Sequence, residues 1–201
     1  MATQITPTTE LQAVNIMLTT IGEAPVNAIT GTTSVDVSVA KNILDETSMS
    51  IQTQGWNFNT VYDKKLNKDI DNKVPLPSNC VQADANKDDR HLNLIIRGGY
   101  LYDVENDTDV FSATVPLVDL VLVQQFEDLP EYARRYITMK AARRFASRFI
   151  GEEALVTLTM QDENEAMIAF KQADSRSEDN NILTSDANTY SIVNRMPRRR
   201  Y

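Results

Sequence analysis

The first apolar stripe along the chain has helical spacing and predicts a helix close to the N-terminus. Its members are Leu11, Val14, Met17, Leu18 and Ile21. Thr9 and Gln12 stand three residues apart at its start, which is the spacing of a capping box. Gly22 can adopt the left-handed conformation that ends a helix, and Pro25 follows shortly afterwards. A first helix is therefore predicted between Thr9 and Gly22.

A second, longer helix is predicted to begin near Ser34 and to end at Gly55. Its apolar stripe consists of Val35, Val39, Ile43, Leu44, Thr47 and Ile51. A helix of roughly 20 residues is about 30 Å long, which is enough to carry a large part of a hydrophobic core.

The pattern changes to strands and turns between residues 56 and 126. The alternating residues are Leu92, Leu94 and Ile96 before Gly98-Gly99, and Tyr100, Tyr102 and Val104 after it. Two such runs joined by Gly-Gly predict a β-hairpin, because a type I′ turn needs positive φ at both central residues. The almost wholly apolar run 115–123 predicts a strand covered on both faces. No strand can be assigned in the polar stretch 63–90.

Two further helices are predicted after the strands. Asp128 is a plausible N-cap for the third, with Pro130 in the first turn and Glu131 placed to reach back. Its apolar side consists of Tyr136, Ile137, Ala141, Phe145 and Phe149. The fourth is predicted to begin at Glu152, after Gly151, and to bury Leu155, Leu158, Met160, Met167 and Phe170.

This order of elements predicts an α+β fold. Residues 1–55 and 127–175 form an antiparallel helical bundle, residues 56–126 form an inserted β-rich, sandwich-like module, and residues 176–201 form an extended C-terminal arm. At the point where the chain leaves the bundle, Trp56 and Phe58 are the predicted junction anchors, since large aromatic side chains bury much apolar area. The alternative for Trp56 is an exposed ring at a subunit contact.

Composition narrows the class of protein. With 201 residues, 42% of them hydrophobic, the chain can bury a core as one domain with an inserted module. No apolar run of 18 residues and no signal-peptide pattern is present, so we expect no membrane partner and synthesis in the host cytoplasm. A formal net charge of −8 disfavours nucleic-acid binding over the whole surface.

The charges alternate in blocks along the predicted third and fourth helices. Residues 130–150 carry six arginine and lysine side chains against one acid, and residues 152–170 carry five acids and no base. The simpler interpretation is that the fourth helix neutralises most of the arginines of the third. The alternative is a basic surface for nucleic acid or an acidic partner.

Candidate chemistry is sparse, so no catalytic residue, cofactor or metal site is predicted. His91 is the one histidine and is expected at a strand edge, and Cys80 has no Cys or His at metal-ligand spacing. Acidic pairs keep a carbohydrate hydrolase open as an alternative function, since glycosidases use two carboxylates across a cleft. The basic third helix keeps a small nucleic-acid-binding module open as another.

The C-terminal arm combines polar runs with isolated apolar and basic residues. The candidate binding residues are Ile182, Leu183, Tyr190, Ile192, Val193, Met196, Arg198, Arg199 and Arg200. A segment of this composition can order on a partner and contact a large surface. We therefore expect the arm to act as a strap.

Short strings in a fixed order carry a more specific signal. Towards the N-terminus they are Ala13-Val-Asn15, Ile21-Gly-Glu23-Ala-Pro25-Val26, Ile43-Leu44, Ile51-Gln52 and Gly55-Trp56-Asn-Phe58-Asn59. Further along they are Arg97-Gly98-Gly99-Tyr100-Leu-Tyr102-Asp103, Phe126-Glu-Asp128-Leu-Pro130-Glu131, Arg135-Tyr-Ile137, Lys140-Ala141, Arg143-Arg144-Phe145 and Arg148-Phe149-Ile-Gly151. Together they resemble the tail tubular protein A family of T7-like short-tailed bacteriophages. The resemblance fades in residues 63–90 and after Phe170.

The resemblance implies a structural, non-enzymatic role in the virion tail. Members of that family form a dodecameric ring, the adaptor between the portal protein and the tail nozzle protein (tail tubular protein B). The ring also offers surface to tail fibres, and genome DNA passes through its channel without sequence-specific binding. The resemblance further implies that the C-terminal arm holds the portal.

Overall fold

The computed structural model describes residues 6–31, 34–86, 89, 91–112, 115–149 and 153–177. The helices are α1 (Glu10–Thr20), α2 (Val35–Gln52), a short 3₁₀ helix (Phe126–Asp128), α3 (Glu131–Phe149) and α4 (Glu153–Ser177). The strands are β1 (Thr60–Lys64), β2 (Cys80–Ala85), β3 (Leu94–Arg97), β4 (Tyr100–Asp103) and β5 (Val118–Leu122). Two helices precede the strands and two long helices follow them, so the predicted α+β fold is confirmed.

Both ends of α1 follow the prediction. The Thr9 hydroxyl accepts a bond from the backbone N–H of Gln12 (3.2 Å), and the Gln12 side chain accepts one from the backbone N–H of Thr9 (3.0 Å). At the other end Gly22 has φ +83°. The N–H of Glu23 donates to the carbonyl of Leu18 at 3.0 Å, the bond of a Schellman cap.

The apolar stripe of α2 differs from the prediction at its first turn. Val35 is 71% exposed, whereas Val37 is fully buried. Residues two apart lie about 200° apart around a helix, so only one of these two valines can face the core. The buried positions are Val37, Ala40, Ile43, Leu44, Thr47, Ser48, Ile51 and Gln52.

Helix α3 occupies the centre of the helical part and contacts the other three helices. Arg143 pairs with Glu163, and Tyr136 stacks on Phe170 at 5.1 Å between ring centroids. The residue that comes earlier in α3 therefore contacts the residue that comes later in α4. The two helices are therefore antiparallel, as predicted. The shared core includes Val14, Met17, Leu18, Ile43, Leu44, Ile51, Leu129, Ile137, Phe145 and Phe170.

Two details of these helices correct the prediction. The Glu131 carboxylate accepts bonds from the backbone N–H (2.7 Å) and the hydroxyl (2.6 Å) of Thr8, rather than reaching back to Asp128. The chain turns through the 3₁₀ helix before α3, which carries Asp128 away from the N-cap position. On α4, Met160 is 54% exposed instead of buried, while Phe170 is fully buried. The Leu155 and Leu158 side chains lie outside the described ones.

The strands form two small antiparallel sheets that share a second hydrophobic cluster. In one sheet β5 lies between β1 and β2, and the other is the predicted hairpin of β3 and β4. Gly98 and Gly99 have φ of +60° and +82°, as a type I′ turn requires. The shared cluster consists of Val74, Ala83, Ala85, Leu94, Leu101, Val118 and Leu120. Residues from both sheets thus build a sandwich-like core.

The first strand of the hairpin turns the predicted face to this cluster, with Leu94 and Ile96, whereas β4 turns the opposite face to the one predicted. Leu101 is paired with Ile96 and is fully buried, whereas Val104 is 39% exposed. Residues directly opposite in an antiparallel pair share a face, so Leu101 joins Leu94 and Ile96 on the core side. Tyr100 lies opposite Arg97 on the other side.

The strands at the start of and within the unassigned stretch 63–90, β1 and β2, are the two edge strands of the β1-β5-β2 sheet. Every residue of β1 after Thr60 is exposed, and only Ala83 and Ala85 of β2 are buried. β1 faces solvent and carries no hydrophobic alternation, and the alternation of β2 consists of two small alanines, so the pattern revealed neither strand. The predicted strand at 115–123 is shorter than expected, beginning at Val118, and its residues Val118, Leu120 and Val121 are buried.

We expect the two clusters to respond separately to the same substitution. Leu44→Ala and Leu101→Ala each remove a leucine that is at most 1% exposed, one from each cluster. Such a change costs about 2–5 kcal/mol of local stability. Leu44→Ala should lower the melting temperature of the helical circular dichroism signal, and Leu101→Ala should leave it nearly unchanged. Equal losses of helical signal in both variants would show one cooperative unit.

Candidate functional site

The chain crosses between helices and strands at two points that lie side by side. It leaves α2 at Gln52 and returns from β5 at Gln124. The Gln52 side chain donates to the Gln124 carbonyl (3.1 Å) and accepts from the Gln124 N–H (2.8 Å). Its amide also donates to the Ser48 hydroxyl at 2.9 Å, and the residue is fully buried. We call Gln52, Trp56, Asn59 and Gln124 the junction network.

Asn59 ties the turn after α2 to the same place. Its side-chain oxygen accepts a bond from the Trp56 N–H (2.8 Å), and its amide donates to the Gln52 carbonyl (2.8 Å). Gly55 precedes this turn with φ +71°, and a Cβ there would lie 3.2 Å from Cγ2 of Val121. Glycine is therefore required both by the backbone conformation and by the close approach of β5.

The predicted anchors Trp56 and Phe58 both pack against the helical core and are half-buried. The Trp56 indole N–H donates to the Ile51 carbonyl at 2.8 Å, and its ring meets Phe170 of α4 edge-on at 4.4 Å. Phe58 lies 6.3 Å from both Phe170 and Tyr132. The two rings thus lie between α2, α3 and α4, although their role as anchors remains a prediction.

The last turns of α4 also reach the junction. The Asn57 side chain donates to the Asp174 carbonyl at 3.0 Å. Asp174 is buried, with 7% of its surface exposed. The neighbouring Tyr132 is partly buried as well, and this burial raises the pKa of its hydroxyl. The end of α4 is therefore held by the residues that begin the inserted segment.

Sequence reasoning missed Gln52, Asn59 and Gln124 as structural residues. A polar residue at the end of an apolar stripe carries no periodic signal, and its partner Gln124 is 72 positions away. The sequence did mark Gln52 and Asn59 in one way. They belong to the strings Ile51-Gln52 and Gly55-Trp56-Asn-Phe58-Asn59, which carry part of the family resemblance.

Four arginines of α3 have partners within the described part of the fold, and one of these four pairs with a described side chain of α4. Arg143 pairs with Glu163 of α4. Arg134 donates to the carbonyls of Leu129 (2.7 Å) and Thr8 (2.9 Å). Arg144 donates to the Thr47 hydroxyl and Arg148 pairs with the Glu46 carboxylate, both on α2. Tertiary packing, rather than the order of charge blocks, decides these partners.

Two acids of the strand part, Asp103 and Asp109, have lowered pKa values. A hydrogen bond from the Asn106 amide (2.8 Å), with two from backbone N–H groups, holds the pKa of Asp103 below its usual range. An ion pair with Lys73 (2.6 Å) lowers the pKa of Asp109. A general acid needs a raised pKa, so these shifts run in the opposite direction.

The structure also gives the positions of the histidine and the cysteine. His91 is exposed in the turn before β3, and Cys80 is half-buried, with the pKa of its thiol raised by burial. Within the described ranges, no three His, Cys, Asp or Glu side chains are grouped to hold a metal ion. No described helix is long and apolar enough to cross a membrane. The candidate arm residues 182–200 lie outside the described residues.

Removing the Gln52 amide should destabilise the fold. Gln52→Leu keeps a side chain of similar size but leaves the N–H and carbonyl of Gln124 unpaired, which costs about 1–3 kcal/mol. The matched control is Gln54→Leu, an exposed position where a change within about 0.5 kcal/mol is expected. Urea unfolding of both variants measures the difference. Equal midpoints for the two would show that the junction network contributes nothing.

Two substitutions separate the roles of the Trp56 ring and its N–H. Trp56→Phe keeps the ring contact with Phe170 and loses one hydrogen bond, a cost of about 0.5–1.5 kcal/mol. Trp56→Ala should cost more, although less than the roughly 3–5 kcal/mol of a fully buried ring. Thermal unfolding of the monomer tests this order. An unchanged melting temperature for Trp56→Ala would leave only a subunit-contact role.

Comparison with known proteins gives the family of this chain. The family model described as tail tubular protein matches residues 11–180, which include the described strands, the described long helices apart from Glu10 at the start of α1, and the junction network. A comparison with curated proteins gives no match. Because the match spans well over half of the chain, the protein belongs to the tail tubular protein family and is a component of the bacteriophage virion tail.

Proposed function

We propose that this protein is the adaptor subunit of a short-tailed phage. In this proposal a ring of copies, twelve as in the T7-like family it resembles, joins the portal to the nozzle protein and offers surface to the tail fibres. The observation that carries the proposal is the family match across both the helices and the strands. A structural role follows from membership of a tail tubular family more directly than any catalytic role does.

The charge of the chain supports a conduit for DNA. With a formal net charge of −8, the protein has little general attraction for phosphates, and strong attraction would slow passage of the genome. The nucleic-acid-binding alternative relied on the basic α3. Arg134, Arg143, Arg144 and Arg148 already have partners within the fold, which weakens that alternative.

The proposed portal contact is the C-terminal arm. Arg198, Arg199 and Arg200 can steer it towards an acidic surface, and the apolar residues from Ile182 to Met196 can fill grooves there. Helix α4 ends at Ser177, whose hydroxyl donates to the Asp174 carbonyl at 2.6 Å. Ser177 is therefore the residue after which the arm can be removed without cutting the helix.

Truncation after Ser177 should leave the protein folded but abolish binding to its portal protein. The measurement is co-sedimentation with purified portal rings, with circular dichroism as the check of folding. A full-length variant with Arg198, Arg199 and Arg200 changed to alanine should bind more weakly and with less dependence on salt. If the truncated chain bound the portal as tightly as the full chain, the arm would not be the portal contact.

A further inference from the structure

The last turn of α4 is held by residues from two other parts of the fold. The Asn57 side chain donates to the Asp174 carbonyl at 3.0 Å, and the Asn57 backbone N–H donates to the Asp174 carboxylate at 3.4 Å. From α3, the Tyr132 hydroxyl is hydrogen-bonded to Ser177, the final residue of α4. We call Asn57, Tyr132, Asp174 and Ser177 the arm latch, because the C-terminal arm follows Ser177 in the sequence.

The sequence of this turn does not favour a helix end by itself. Residues 174–177 read Asp-Ser-Arg-Ser, and of these only Arg176 suits the negative end of a helix dipole. Serine and aspartate side chains compete with helical bonds, and an acid near the C-terminus of a helix opposes its dipole. Asp174 is nevertheless helical and buried. The contacts with Asn57 and Tyr132 therefore supply stability that this turn lacks.

The arm latch stands one helical turn beyond the aromatic contacts of the core. Phe170 is fully buried, and its ring lies 4.4 Å from Trp56 and 5.8 Å from Tyr132 between ring centroids. Core packing thus fixes α4 as far as Phe170, and the turn that follows depends on the latch. Opening the latch would free the root of the arm while the helical core stays packed.

We propose that the arm latch positions the C-terminal arm for the portal. The inference rests on the proposed function, in which the arm is the portal contact. With the latch closed, the arm starts from a fixed point beside the junction. With the latch open, residues 174–177 would have to be ordered during binding, which costs conformational entropy and lowers the affinity. Asn57 and Tyr132 are therefore positioning residues that act on portal binding through the arm.

Two matched pairs of variants in the full chain test this role. Asn57→Asp replaces the amide donor with a carboxylate of the same size, which repels the oxygens at the end of α4. Its control, Asn164→Asp, makes the same chemical change at an exposed position of α4. Tyr132→Phe removes the hydroxyl that is bonded to Ser177, and its control, Tyr136→Phe, removes a hydroxyl of the same helix that accepts a bond from a lysine.

Binding is titrated with purified portal rings, and hydrogen exchange follows the amides of residues 174–177 in the free chain. We expect Asn57→Asp to weaken portal binding at least about tenfold and Tyr132→Phe at least about threefold, because fewer chains then have the latch closed. The last turn of α4 should exchange faster in both variants. The two controls should bind the portal like the natural chain.

Portal binding of natural strength by both Asn57→Asp and Tyr132→Phe would overturn the positioning role. Equal weakening by Tyr132→Phe and Tyr136→Phe, with equal loss of melting temperature, would also overturn it, because the effect would then be one of general stability. Circular dichroism identifies a variant that fails to fold, and the comparison of the two tyrosines then decides. If the chain truncated after Ser177 bound the portal as tightly as the full chain, the proposed portal contact itself would fail.

Discussion

The fold depends on one buried side-chain amide. Gln52 closes the helix that leads out of the bundle and, through two hydrogen bonds, holds the backbone of Gln124, where the chain returns. A buried amide must find partners for both its N–H and its carbonyl, so its satisfaction fixes the two crossings side by side. Trp56, Asn59 and the last turns of α4 then assemble around this point.

The helices are organised around α3 in a way that uses its charge internally. Its arginines hold the N-terminal segment through Thr8, the centre of α2 through Thr47 and the acidic α4 through Glu163. A strongly basic helix is thereby placed in the middle of an acidic protein. Its charge stabilises packing between elements, which explains why the block of arginines need not signal a nucleic-acid surface.

The sequence by itself determined the order of the elements, the caps of α1 and the Gly-Gly hairpin, because these depend on residues close together in the chain. The short strings that resemble the tail tubular protein A family were also enough to indicate the family that the match over residues 11–180 shows. Only the tertiary structure decided the strands between residues 60 and 85, the face of β4 that Leu101 buries, and the partners of the α3 arginines. The reason is physical: exposed edge strands carry no periodic signal, and an ion pair or buried amide is completed by a residue that folding brings from far along the chain.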